Sequence, residues 1–145
     1  MIQIVYYALG LLAGAGGGVQ ASMNAALGRI VGVTEATLVS VTGTWLSVAL
    51  LLIVGFRSGN MGQVTSTPPY LLIGGLFGAM ILLTATRSVP VIGVAAFSSA
   101  LIVGQLVSSV MLDQIGAFGH ASHPLDAGRV LGIAFLLVGL RLVLR

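Results

Sequence analysis

The sequence predicts an all-α integral membrane protein with five transmembrane helices, and three observations carry that reading. The 145 residues have a mean hydropathy of +1.13 and only 6% charged residues, against roughly 25% in a soluble domain. Apolar stretches recur at the length of about 20 residues that a helix needs to cross a bilayer. Within them the residues are apolar all round, without the alternation of a membrane β-strand, and five spans cannot close an outer-membrane barrel.

The first span covers residues 4–27 and ends at Gly28-Arg29. It lacks a basic n-region and the apolar pattern continues beyond it, so it reads as a span and not as a cleaved leader. The second, residues 35–55, takes Thr34 as its N-cap and places Glu35 in the first turn, where a carboxylate suits the helix dipole. Residues 57–67, RSGNMGQVTST, form a polar loop. Pro68-Pro69 then opens the third span, residues 69–86, because proline is tolerated at first helical positions. Gly74 and Gly78 give this span a close-packing face. Arg87 and Pro90 break the chain before the fourth span, residues 92–112. Residues 113–126 form the longest loop and hold both histidines. The fifth span, residues 127–144, contains Arg141, which snorkels if it lies near the membrane surface. The five spans make one membrane domain over residues 1–145.

Charge and cysteine usage exclude several function classes. Six arginines and no lysine stand against three acids, but the arginines sit at helix ends and form no basic patch, so nucleic acid is not a partner. Arg29, Arg87, Arg141 and Arg145 fall on one side and Arg57 and Arg129 on the other. This bias leans towards an outside N-terminus and an inside C-terminus. A chain that inserts both ways shows the same narrow margin. No cysteine is present, which excludes disulfides, thiolate metal sites and cysteine nucleophiles. There is no P-loop, no G-x-S-x-G elbow and no paired-carboxylate arrangement, so the chain reads as no enzyme and needs no cofactor. His120 and His123 with Asp126 do not complete a metal site and read as a solvated loop.

Polar residues inside the spans are the candidate functional groups. In GLLAGAGGGVQASMN, residues 10–24, the amides Gln20 and Asn24 lie one turn apart on a face shared with Ala13, Gly17 and Ala21. Beside it runs a stripe of small residues, Gly10, Gly14, Gly18 and Ser22, which lets another helix approach closely. The amides either line a polar cavity or glue helices together. On the fourth span, Ser98 and Ser109 lie within about 40° of Gln105 by helical geometry. A cavity between the first and fourth spans, lined by Gln20, Asn24, Ser98 and Gln105, would meet these hydrogen-bonding needs together. Serine in such a helix also bonds its own i−4 carbonyl. Trp45 lies too deep in the second span for an interfacial belt, and either stacks on a ligand or packs against a neighbouring helix. No Asp, Glu or Lys lies mid-span, so the usual proton relay is missing. Asp113, at a helix end, is left as a coupling candidate or an organiser of the loop.

In their order and spacing these residues resemble the YdcZ-like family of the drug/metabolite transporter superfamily, small bacterial inner-membrane proteins. The match rests on Gln20-x3-Asn24 followed by Leu27-Gly28, Thr44-Trp45, Pro90 and Gly93, and Gly104-Gln105. It continues through Asp113, Gly116, Phe118, Gly119, Pro124, Leu125, Arg129, Gly132 and Gly139. The resemblance implies a five-helix half-transporter repeat, where full-length members carry two inverted repeats with the substrate site between them. A single half then has to pair, and an antiparallel homodimer would rebuild that symmetry. The helix-one glutamate of the related small multidrug exporters is missing here, which favours a neutral or zwitterionic polar metabolite over a proton-driven cation. The expected function is a secondary transporter subunit in the bilayer, working by alternating access as a dimer. Gln20, Asn24 and Gln105 would bond the small-molecule substrate, with Ser98 and Trp45 shaping the pocket. A small passive channel and an accessory membrane subunit are the alternatives.

Overall fold

The computed structural model describes residues 2–56, 59–119 and 122–144, and every regular element among them is helical. Five α-helices follow in order: α1, Ile2–Val31; α2, Val33–Ile53; α3, Gly74–Ile92; α4, Val94–Ile115; and α5, Ala127–Val143. Four helical stretches are long and apolar enough to cross a membrane: Gln3–Val31, Val33–Ile53, Pro69–Ile92 and Val94–Ile115. The third of these is α3 preceded by the 3₁₀ turn Pro69–Ile73, which starts at the predicted prolines. The fifth predicted span, α5, has 17 residues, a rise of about 25 Å at 1.5 Å per residue, which is short of a hydrocarbon core of about 30 Å.

The exposure pattern inverts that of a soluble protein. Leu11, Leu12, Ile53 and Val91 are exposed. The buried set is dominated by small residues such as Ala25, Ala36, Ala85 and Thr86. Helices in lipid gain nothing by hiding leucine from hydrocarbon, and they associate by letting small residues bring backbones together.

The chain forms two compact units, Met1–Val91 and Ile92–Arg145. In the first, α1 runs past the predicted stop at Gly28-Arg29 to Val31. A single residue, Gly32, then turns the chain into α2 with φ 102° and ψ 154°. An L side chain rarely adopts that conformation, so glycine is the residue that can stand here. This displaces the expected cap: α2 starts at Val33, Thr34 lies inside its first turn, and Gly32 is the N-cap, with no side-chain cap bond. Glu35 keeps its place in the first turn. Asn24 meets Ser40 and Gly28 faces Ala36. Both pairs are symmetric about Gly32, so α1 and α2 pack as an antiparallel hairpin.

Helix α3 also outruns its expected end near residue 86. It continues through Arg87 and Pro90 to Ile92. Pro90 removes one backbone donor, a loss that a helix in a membrane protein tolerates. The break comes at Gly93, φ 84° and ψ 160°, which caps α4.

In the second unit α4 packs on α5, with Phe97, Val103 and Val110 of α4 buried. Gly116 closes α4 in the left-handed conformation, φ 59°. Asp126 caps α5 by accepting from the Arg129 backbone N–H at 2.8 Å.

Candidate substrate site

Within the first unit α1, α2 and α3 line an open cleft of about 470 Å³. It is lined by Gln20 of α1, by Val41, Thr44 and Trp45 of α2, and by Gly75, Gly78, Ala79, Ile81 and Leu82 of α3. The spacings explain why each helix offers one face: 41, 44 and 45, and 75, 78, 79 and 82, are i, i+3, i+4 sets. A Cβ built on Gly75 or Gly78 meets nothing within 4 Å. The two glycines therefore hold open volume that side chains would fill. Trp45 is 65% exposed and presents its ring to the cleft. The Thr44 hydroxyl donates to the Ser40 carbonyl at 2.9 Å, leaving its oxygen lone pairs to face a ligand. Gln20 is exposed, and its amide is a donor and acceptor at the cleft wall.

The cleft lies above a tightly packed layer. Two turns beyond Gln20, Gly28 lies directly against the Thr86 methyl group, and a Cβ at Gly28 would collide with it. Thr86 is 1% exposed, and its hydroxyl is satisfied by the Leu82 carbonyl at 2.8 Å, so only the methyl group meets α1. Asn24 sits between this layer and Gln20 but is not part of the cleft lining. It is 5% exposed and accepts a hydrogen bond from the Ser40 hydroxyl through Oδ1. Its Nδ2 is buried with no partner among the described residues. Turning the amide over exchanges the two ends and still leaves one of them unpaired.

Ser98 and Gln105 both lie on α4, in the second unit. Ser98 is half-buried and Gln105 is exposed. The Gln105 carbonyl accepts from Ser108 at 3.0 Å. Asp113 stands at the end of α4 beside a small hollow lined by Ser109, Leu112, Ala117 and Phe118. Its carboxylate pairs with Arg129 at 3.3 Å, and its carbonyl accepts the His123 backbone N–H at 2.9 Å. Next to it, the Gln114 side chain accepts from the Leu125 N–H at 2.5 Å and the Gln114 carbonyl accepts from Ser122 at 3.0 Å. Together these bonds fold the loop before α5 back onto the end of α4. His120 lies outside the described residues, as do Arg57 and Arg145.

The cleft thus brings together two of the sequence-predicted residues, Gln20 and Trp45. Gly75, Ala79, Ile81 and Leu82 of α3 were not anticipated as lining. Their signal was present in the 3- and 4-residue spacing of small residues, but Gly74 and Gly78 stood out first as a packing stripe.

A family model described as "Putative inner membrane exporter, YdcZ" matches residues 5–142. The chain belongs to that family, which is described as one of inner membrane exporters, and it is a multi-pass inner membrane protein. No curated protein and no solved structure matches it.

Proposed function

We propose that this member of the exporter family is a secondary transporter subunit that moves a small molecule across the inner membrane by alternating access, working as a homodimer. The observation that carries the reading is the cleft of Gln20, Thr44 and Trp45, set among membrane-spanning helices and kept open by Gly75 and Gly78. A membrane protein gains little by exposing an amide and an indole to lipid, whereas a cargo site needs a few polar groups on an apolar wall. Gln20 bonds the cargo and Trp45 stacks on it. Ser98 and Gln105, on α4 of the second unit, are further candidate cargo contacts, and Asn24 supports the cleft by joining α1 to α2. Asp113 is the coupling candidate among the acids, although its bonds to Arg129 suit an organiser of the loop equally well.

The chain is half of an inverted-repeat transporter of the drug/metabolite type, with α5 as its fifth span, and it pairs with a second copy. Support for pairing comes from α1, where a Cβ at Gly10, Gly14 or Gly18 meets nothing within 4 Å. That stripe is free to receive a helix. An antiparallel pair would restore the inverted symmetry of a full transporter.

The test is counterflow in proteoliposomes loaded with an extract of small metabolites and read by mass spectrometry. A transporter exchanges one solute saturably and accumulates it against its gradient. A passive channel equilibrates many solutes and accumulates none. An accessory subunit moves nothing alone, and either of the last two results overturns the proposal.

A further inference from the structure

The lining of the cleft restricts its cargo further. None of the nine residues that form it is ionisable. A charged molecule entering from water would give up its hydration in a membrane-embedded site that offers no counter-charge, a cost that one aromatic face does not recover. Seven of the nine, Val41, Trp45, Gly75, Gly78, Ala79, Ile81 and Leu82, offer carbon surface, and the polar groups, Gln20 and Thr44, belong to facing helices. The volume of about 470 Å³ falls within the range of small-molecule pockets. The packed contact of Gly28 with Thr86 lies two turns below Gln20 on α1 and one turn below Leu82 on α3, so α1 and α3 touch beneath the cleft.

We propose that this cleft selects an uncharged, largely apolar molecule with one hydrogen-bonding head, its flat body against Trp45 and its head on Gln20 and Thr44. The proposal rests on the reading of the cleft as the cargo site, and it narrows the cargo from small molecules in general to neutral amphipathic ones. Gly78 sets the size limit, because a side chain there grows into the space the body occupies. Gln20 sets the preference for a head group, because its amide bonds a hydroxyl or carbonyl and offers nothing to a bare hydrocarbon.

Trp45 is the one tryptophan of the chain, so its fluorescence reports this site alone. The purified protein in phospholipid vesicles is titrated with bromobenzyl alcohol, bromobenzylammonium, bromobenzoate and bromotoluene, whose bromine quenches indole on contact. The alcohol is expected to quench saturably, and to bind at least about tenfold more tightly than either ion, because a charge taken out of water here finds no partner. Gly78→Ala should fold normally, because its methyl group meets no protein atom, and should weaken this binding, whereas Gly78→Leu should abolish it. Gln20→Leu should bind the alcohol no better than bromotoluene. Should Gly78→Leu fail to fold, Gly75→Leu fills the same cleft from one turn away.

Equal quenching of the parent and the filled variant overturns the proposal, because Trp45 then senses only partitioned probe. Binding of the ammonium as tight as that of the alcohol overturns it as well. So does a brominated phospholipid whose quenching of Trp45 is not relieved by unbrominated benzyl alcohol, since lipid or a second copy of the chain then holds the cleft. These results are separable from the fate of the transporter reading. Saturable neutral binding by a protein that moves no solute would sink the transporter and leave the selectivity, whereas saturable transport of a cation would do the reverse.

Discussion

At the scale of single residues, two contacts decide how the first unit holds together. Gly28 and Thr86 bring α1 and α3 into direct contact, with no room for even one methyl group. Gly28→Ala should therefore destabilise the protein by about 1–3 kcal/mol through overpacking, measured by unfolding in mixed micelles, and Thr86→Ser in the same chain should recover part of the loss by removing the clashing methyl. The Asn24–Ser40 hydrogen bond is the second contact. A double-mutant cycle with Asn24→Ala and Ser40→Ala should give a coupling of about 0.6 kcal/mol, the average of such bonds in membrane proteins, and at most about 1.7 kcal/mol; a coupling of zero would mean that the bond does not hold the hairpin. The sequence placed Gln20 and Asn24 correctly on one helical face, yet they have different surroundings: Asn24 is buried and Gln20 is exposed in the cleft. What separates them is distance from the turn at Gly32. Where one helix ends and the next begins depends on a backbone conformation that hydropathy does not encode, so that distance could not be read from the spans.

At the scale of elements, the two tight links between long helices use the same device. Gly32 joins α1 to α2 and Gly93 joins α3 to α4, each as one residue with φ near +90° and ψ near +155°. Four of the five predicted spans were plain from composition, because apolar stretches of membrane length cannot be mistaken for anything soluble. Their ends were harder. Pro90 looked like a terminator, as it is in water, but α3 runs through it to Ile92 and only the positive φ of Gly93 stops it. The expectation for Gly93→Ala follows. Nothing lies within 4 Å of its added Cβ, so the cost is backbone strain alone, about 1–3 kcal/mol. Pro90→Ala restores a backbone donor inside a helix and should be neutral or stabilising. Comparing the two melting temperatures tests which residue makes the break, and a more harmful Pro90→Ala would assign it to the proline. Between α4 and α5 the organisation is polar: Asp113, Gln114 and Asp126 each accept a bond from the following loop or helix start. Asp113 at a helix end and Asp126 just before the next helix could be read in advance, but which donor each would take depended on how the loop folds back.

At the scale of the whole molecule, the arginine distribution bears on how the chain sits in the membrane. Counted over five spans, four arginines against two is the narrow margin that the proposed dual insertion predicts, and an antiparallel pair of identical halves requires such insertion. The lack of cysteine makes this directly measurable, since any cysteine introduced is the single reactive thiol. Gln63→Cys, in the exposed 3₁₀ turn between α2 and α3, and Leu144→Cys, at the exposed end of α5, are suitable places. Intact cells are labelled with an impermeant maleimide before and after permeabilisation. For an antiparallel homodimer each site should label about half from outside and the rest only after permeabilisation. Labelling of both sites wholly from one face or the other would exclude that dimer, and the uncovered stripe of Gly10, Gly14 and Gly18 would then have to meet a parallel copy or a separate partner of opposite orientation. Adding arginine at residue 63 tests the cause as well as the outcome. If the narrow charge margin sets the mixed insertion, one extra positive charge should move most of the population to a single orientation, and transport should fall with the loss of antiparallel pairs.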